Sequence, residues 1–235
     1  MFFLPAGIGM LNSALSALIL LGVILIGIIM TFAVSKILSS TILKGVPSSF
    51  ILELPPYRVP NIGSVVVRSI FDRTLFVLGR AVAVAAPAGL IIWFMSNVYI
   101  GDLSIVMHLV NILEPLGKLM GLDGVILVAF ILGFPANEIV VPIMMMVYMA
   151  TGTMTEMEDL LQMKSILLDN GWTFITALNM MLFSLMHFPC STSCLTIKKE
   201  TGSWKWTGIS FIIPTVCGII ICTVTATLAR IFGII

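Results

Sequence analysis

The sequence has 235 residues, 59% hydrophobic and only 10% charged, with a formal net charge of +1. An ordinary soluble domain carries about 25% charged residues, so this chain cannot cover a water-facing surface, and lipid is its natural solvent. The charge balance points to no nucleic-acid partner, and no basic, aromatic-rich patch appears.

The first apolar run covers roughly Leu11 to Leu38, with Lys36 at its end as its only charge. A hydrocarbon core needs about 20 apolar residues, so this run is long enough to span. The segment before it, "MFFLPAGIGM", lacks the basic residues that open a signal peptide. The run is therefore expected to be a retained membrane helix. Next comes "KGVPSSFILELPPYRVPNIGS", 44–64, whose four prolines rule out a spanning helix and predict an extended surface loop. Residues 65–80 set Arg68, Asp72, Arg73 and Arg80 among large apolar residues. That pattern fits an interfacial amphipathic helix or the polar end of the next span.

The second run covers about Phe76 to Asn97, with Trp93 and Tyr99 near its far end as interface residues. Residues 99–121 read as a polar connection holding a short helix. The third run, Leu122 to Ala150, is broken by "GFPANE", 133–138. Residues 151–171 are acidic. The fourth run, Trp172 to Ile197, is broken by "HFPCSTS", and the basic turn "KKETGSWKW" follows. The fifth is Thr207 to Ala229.

Lys and Arg mark the cytoplasmic side of membrane proteins. The connection 36–80 holds six of them and 198–205 holds three, while 99–121 and 151–171 hold one each. The first two are expected inside and the others outside, which leaves Arg230 outside. The third run then begins and ends on one side. A simple crossing is excluded by this pattern and a re-entrant hairpin is allowed, turning near Gly133, Pro135 and Asn137. Each half would be about 18 Å long, roughly half the bilayer.

The two breaks resemble each other: "GFPANEIVVPI" and "HFPCSTSCLTI" both place Phe-Pro before a small residue, polar residues and aliphatics. Proline lacks an N–H and clashes with the preceding turn, and backbone groups freed at membrane depth need protein or a watery cavity as partner. Paired interruptions of this kind mark transport sites built from broken helices, where freed carbonyls and half-helix ends coordinate an ion. A proline kink inside a bundle is the plainer reading of either break alone; two similar breaks beside ionisable groups favour the transport reading.

The candidate chemistry sits around Pro135 and Pro189. Glu138 is the one acidic residue in the interior of an apolar run, and an intramembrane carboxylate is a functional candidate by default; Asn137 adjoins it. His187, Cys190 and Cys194 are spaced i, i+3, i+7, and share one face if the helix resumes at once after Pro189. Imidazole and thiolate suit borderline and soft divalent metals. Three ligands in an apolar run do not make a closed structural zinc site, but a transient site needs few, labile ligands. Packing is the expected role of Cys194, and ligation that of Cys190. Ser191 and Thr192, with Ser193, can satisfy freed backbone groups or contact a hydrated ion. Met144, Met145, Met146 and Met149 carry soft, weak thioethers, of which one or two can face a pathway, the rest meeting lipid or packing. All four cysteines (Cys190, Cys194, Cys217 and Cys222) fall in apolar segments, which speaks against a disulfide framework. A Cys190–His187 catalytic dyad lacks a visible orienting acid.

"ELPPYRVP" (53–60), "GFPANEIVVPI" (133–143), "NGWTFITALNMMLFSLMHFPCSTSCLTIKKETGSWKW" (170–206) and "PT" (214–215) resemble, in order, the C-terminal membrane region of FeoB ferrous iron transport proteins. The resemblance implies an all-α, polytopic transmembrane helical bundle with discontinuous helices, in the inner membrane of a prokaryote. It implies Fe(II) as the transported substrate, and places Glu138 and Cys190 in or near the second of two related gate segments. By this reading 1–43 is the first membrane helix, at the tail of the first gate, and 44–80 is a cytoplasmic loop and interfacial helix. Residues 81–121 are a membrane helix and external connection; 122–235 hold the two broken helices and a final span. In that family a GTP-binding domain precedes the membrane domain. These 235 residues contain no G-x-x-x-x-G-K-[ST] phosphate loop, and no first-gate cysteine motif. The expectation is a part of a transporter, a split gene or a degenerate fragment, working with a GTPase and first-gate half in cis or in trans, with a homo-oligomer compatible. The same architecture fits a transporter of another solute, such as a nucleoside, a non-transporting assembly subunit, or a membrane metalloenzyme.

Overall fold

The computed structural model describes residues 9–41, 75–153 and 159–233, with single positions at 63, 67 and 71. The loop expected at 44–64 and the amphipathic helix expected at 65–80 fall almost entirely outside the described residues. What is described is a helical bundle whose elements follow the apolar runs closely, because backbone polar groups in lipid must pair within their own segment.

Helix α1 spans Gly9–Thr41, apolar on every side. Of its described side chains only Val23 is buried, as expected where lipid solvates the rest. Helix α2, Phe76–Asn97, carries Pro87 inside it. A two-residue antiparallel ladder, Tyr99–Ile100 (β1) with Leu103–Ser104 (β2), turns the chain. Ser104 then caps α3, Ile105–Leu119, by accepting from the Met107 amide; this is the short helix expected in the 99–121 connection. A turn with Gly121 at φ +68° bends the axis by 113° into α4, Gly124–Leu132. Gly124 is required there, since a Cβ would lie 2.4 Å from the Val110 carbonyl oxygen. After the first break, a single 3₁₀ turn at Asn137–Ile139 leads into α5, Val140–Met149. Helix α6 is Leu160–Asp169, α7 Phe174–Met186, α8 Ser191–Thr201 and α9 Trp204–Ile231.

By length and composition, three segments can cross a membrane: α1, the broken pair α7–α8 over Phe174–Thr201, and α9; counting the bent pair α3–α4 makes four. The core lies where α3, α4, α5, α7 and α9 meet. Gly218 of α9 lets the helices close, with its position for a Cβ only 3.0 Å from the Phe183 ring of α7. Small residues at such crossings are how membrane helices approach, because lipid supplies no hydrophobic drive between them.

One end of the bundle is tied by polar side chains. Asp123 caps α4 through the Ile126 amide at 2.7 Å and accepts from the Tyr148 hydroxyl near the end of α5. Trp172, just before α7, donates its indole N–H to the same Tyr148 oxygen at 2.8 Å. The start of α4 and the end of α5 are therefore side by side, and the two helices form a hairpin. Arg230, at the end of α9, reaches the Lys118 carbonyl, and Lys118 pairs with Glu114 at 3.2 Å. Arg230 thus lies at the end of the bundle that holds the 99–121 connection. From this end, α4 rises ~13 Å and α7 ~20 Å before breaking, at 1.5 Å per residue. Those rises are about two fifths and two thirds of a hydrocarbon core about 30 Å thick, so both helices stop short of a full crossing.

Candidate functional site at the two breaks

The two Phe-Pro breaks meet. The Ser191 amide donates to the Phe134 carbonyl at 2.8 Å, and the Ser191 hydroxyl donates to the Pro135 carbonyl at 3.2 Å. Ser191 is the first residue of α8, where an amide has no partner within its own helix; Phe134 and Pro135 are where the helical ladder of α4 has stopped. Each break supplies what the other lacks. Ser191 is buried, 8% exposed. Of the two roles open to its hydroxyl from the sequence, it fills the backbone-satisfying one.

Rings close the junction. Phe134 lies 5.9 Å from Phe188, its counterpart in the second break, and 5.9 Å from Phe211 of α9. Phe188 stacks on Phe211 at 4.7 Å. His187 lies 5.2 Å from Phe188 and 4.9 Å from Phe130 of α4, which meets Phe183 of α7 edge-on at 4.9 Å. Pairs at such distances add about 0.5–1.5 kcal/mol each beyond their burial, so the aromatic cluster adds to the hydrogen bonds in holding the broken segments together.

His187 does not share a helical face with Cys190 and Cys194. Helix α7 ends at Met186 and α8 starts at Ser191, so His187 is the cap of one helix and Cys190 the cap of the next. Four residues of non-helical chain around Pro189 break the i, i+3, i+7 register. The His187 amide bonds the Phe183 carbonyl at 2.7 Å, and Nδ1 lies 2.9 Å from the Ser184 carbonyl. A carbonyl only accepts, so Nδ1 carries the hydrogen and Nε2 the lone pair. Nε2 is the one buried side-chain nitrogen or oxygen among the described residues without a partner.

Cys190 is half-buried, with Sγ 3.1 Å from the Thr192 hydroxyl and 3.3 Å from that of Ser193. Cys194 is buried and turns its thiol to the Pro189 carbonyl at 3.5 Å, a packing position. Pro135 ends α4 and Pro189 separates α7 from α8. Asn137 and Glu138 lie in the 3₁₀ turn with their side chains exposed. Glu138 therefore faces outward from this chain rather than into its core. Met144, Met145 and Met146 are all nearly inaccessible and Met149 packs beside them, so α5 is covered around its girth at these positions and none of the three meets lipid. Among the described residues no three of His, Cys, Asp and Glu gather as a ligand cluster. A cation at the junction would be met by single side chains and backbone oxygens, a weak set from which it can leave.

Two residues that matter here carried little signal in the sequence. Asp123 sits at the edge of its apolar run and reads as a boundary, although it closes the α4–α5 hairpin. Asn179 is wholly buried in α7. Its Nδ2 donates to the Met120 carbonyl at 2.8 Å and lies 3.4 Å from that of Cys222, and its Oδ1 accepts from Thr225. The one side-chain amide in an apolar helix, as Asn179 is in "TALNMMLF", was the available signal.

The family model described as "Ferrous iron transport protein B C terminus" matches residues 20–72, and the gate model described as "Nucleoside recognition" matches 78–204. The Fe(2+) transporter FeoB of Staphylococcus aureus (strain MSSA476) is 30% identical over 228 residues, covering 92% of this chain and 32% of the relative. The FeoB of Leptospira biflexa serovar Patoc is 25% identical over 249 residues, covering all of this chain and 36% of the relative. That of Methanocaldococcus jannaschii is 28% identical over 212 residues, covering 84% and 30%. The chain thus spans about a third of the length of these relatives. No solved structure matches it. With both family models and the FeoB relatives agreeing along the chain, the protein belongs to the FeoB ferrous iron transport family and corresponds to its C-terminal membrane region.

Proposed function

We propose that this chain is the C-terminal permease part of an Fe(II) transporter, multi-pass in the cell membrane of a prokaryote. It works with a GTPase and first-gate part supplied in cis or in trans. The observation that carries this reading is the joining of two proline breaks roughly halfway along their helices, with Glu138 three residues after Pro135 and Cys190 immediately before the bridging Ser191. Irregular backbone at that depth is expected where an ion path runs.

In this reading Glu138 offers a carboxylate oxygen from the exposed turn, toward the part of the transporter that completes the path. Cys190 offers a sulfur and His187 its free Nε2. Oxygen, sulfur and imidazole together suit Fe(II) better than Mg²⁺ or Ca²⁺, which take oxygen alone. Glu138→Ala and Cys190→Ser in the complete transporter are expected to lower Fe(II) uptake about tenfold or more at unchanged expression. Uptake equal to the parent in both variants refutes the assignment. The gate model's description favours a second reading, a nucleoside-like solute on the same frame. Fe(II)-dependent protection of Cys190 from alkylation separates the two, since a nucleoside carrier gives none.

A further inference from the structure

We infer that Ser191 is a positioning residue of the ion path: its two hydrogen bonds form a latch that holds the two broken segments together and keeps the Phe134 and Pro135 carbonyls from the ion. This rests on the transport reading above and adds what regulates that site.

Three observations carry it. First, the latch is the direct polar link between the breaks, made by residues 56 apart in sequence. Second, the carbonyls it occupies are those the first break frees, the backbone oxygens best placed to meet a cation there. While Ser191 holds them they are engaged, and when it lets go they face the junction. Third, the groups that would meet the ion are turned aside in the latched arrangement. Cys190 Sγ lies against the Thr192 and Ser193 hydroxyls, and His187 Nε2 is shut among rings. The structure is therefore the closed arrangement. Opening separates the start of α8 from the end of α4, hands two carbonyl oxygens to the path and opens the gap beside Cys190, which moves with its own first-turn hydroxyls. No bond is made or broken covalently.

Two substitutions dissect the latch. Ser191→Ala removes the hydroxyl bond and keeps the amide bond. Ser191→Pro removes both. Proline is favoured at the first position of a helix, and Cys190 before it already has the extended backbone that a following proline requires (φ −62°, ψ 162°), so α8 itself is preserved. One such hydrogen bond shifts an open-to-closed ratio by up to about tenfold.

The experiment is N-ethylmaleimide alkylation in native membranes of the complete transporter, followed cysteine by cysteine by mass spectrometry. Expected is faster labelling of Cys190, by up to about tenfold in Ser191→Ala and more in Ser191→Pro, with Ser191→Thr, which keeps both donors, restoring the parental rate. Cys222, with 0% exposure, reports on folding in the same sample and should stay unlabelled. Parental Cys190 labelling in both Ala and Pro variants overturns the latch, as does failure of Thr to restore it. If the Pro variant exposes Cys222, the Ala and Thr pair decides. Fe(II) is absent from this assay, so a failed latch is distinguishable from a failed transport reading, which is tested by uptake in the Glu138 and Cys190 variants.

Discussion

Replacing Asn179 by alanine tests whether the buried polar knot fixes the bundle. The side chain joins α7 to the Met120 carbonyl at the end of α3 and to Cys222 and Thr225 of α9, within a wholly buried position. Thr225 also reaches the Ile221 and Cys222 carbonyls at 3.0 Å, so its hydroxyl stays satisfied after the change. The Met120 carbonyl loses its side-chain donor. An unsatisfied buried group costs about 1–3 kcal/mol, while interhelical hydrogen bonds in membranes average only about 0.6 kcal/mol; the void left by the amide adds about 1 kcal/mol. About 2 kcal/mol is the expected loss, or roughly 4–8 °C in Tm for a domain of this size. Thermal unfolding in detergent micelles, read by alkylation of Cys222, measures it directly, because that thiol is buried with Sγ 3.4 Å from the Asn179 carbonyl. Asn179→Leu fills the void without restoring the hydrogen bonds and should recover part of the loss. A Tm for Asn179→Ala within about 1 °C of the parent refutes the reasoning.

Tyr148→Phe removes both the Asp123 and Trp172 bonds and should cost about 1–2 kcal/mol, seen as a lower unfolding midpoint. Because Trp172 donates to the same Tyr148 oxygen, the Tyr148→Phe and Trp172→Phe changes should be non-additive, the double variant costing less than the sum of the two singles. On sidedness, the hairpin of α4 and α5 places residues 151–153 at the same end as Lys118 and Arg230. Single cysteines at Thr151 and Lys118 should both be labelled from outside intact cells by a membrane-impermeant maleimide, and labelling of one from outside and of the other only after permeabilisation excludes the re-entrant arrangement.

The closed junction explains how a chain with few polar side chains can carry irregular backbone at depth. Ser191 and the aromatic cluster stabilise the same interface by different means. The hydrogen bonds are directional and are lost together when the segments part. The ring contacts are softer and can slide.

Apolarity and proline are local properties, and what depends on them was legible without coordinates. The second run, expected at Phe76 to Asn97, is helix α2 with those bounds. Both Phe-Pro interruptions end their helices, because a missing N–H and a ring clash act within one turn. The likeness of the two breaks could be read from their residues alone. That Ser191 of one break reaches Phe134 and Pro135 of the other could not, nor that Cys190 and His187 cap different helices, nor that Glu138 faces outward while Met145 is buried. These are choices of partner and of rotation about a helix axis. In lipid, where one apolar face is solvated as well as another, hydropathy does not select among them. Close packing at Gly218 and Gly121, and the need to pair every freed carbonyl, make that selection only once the helices are brought together.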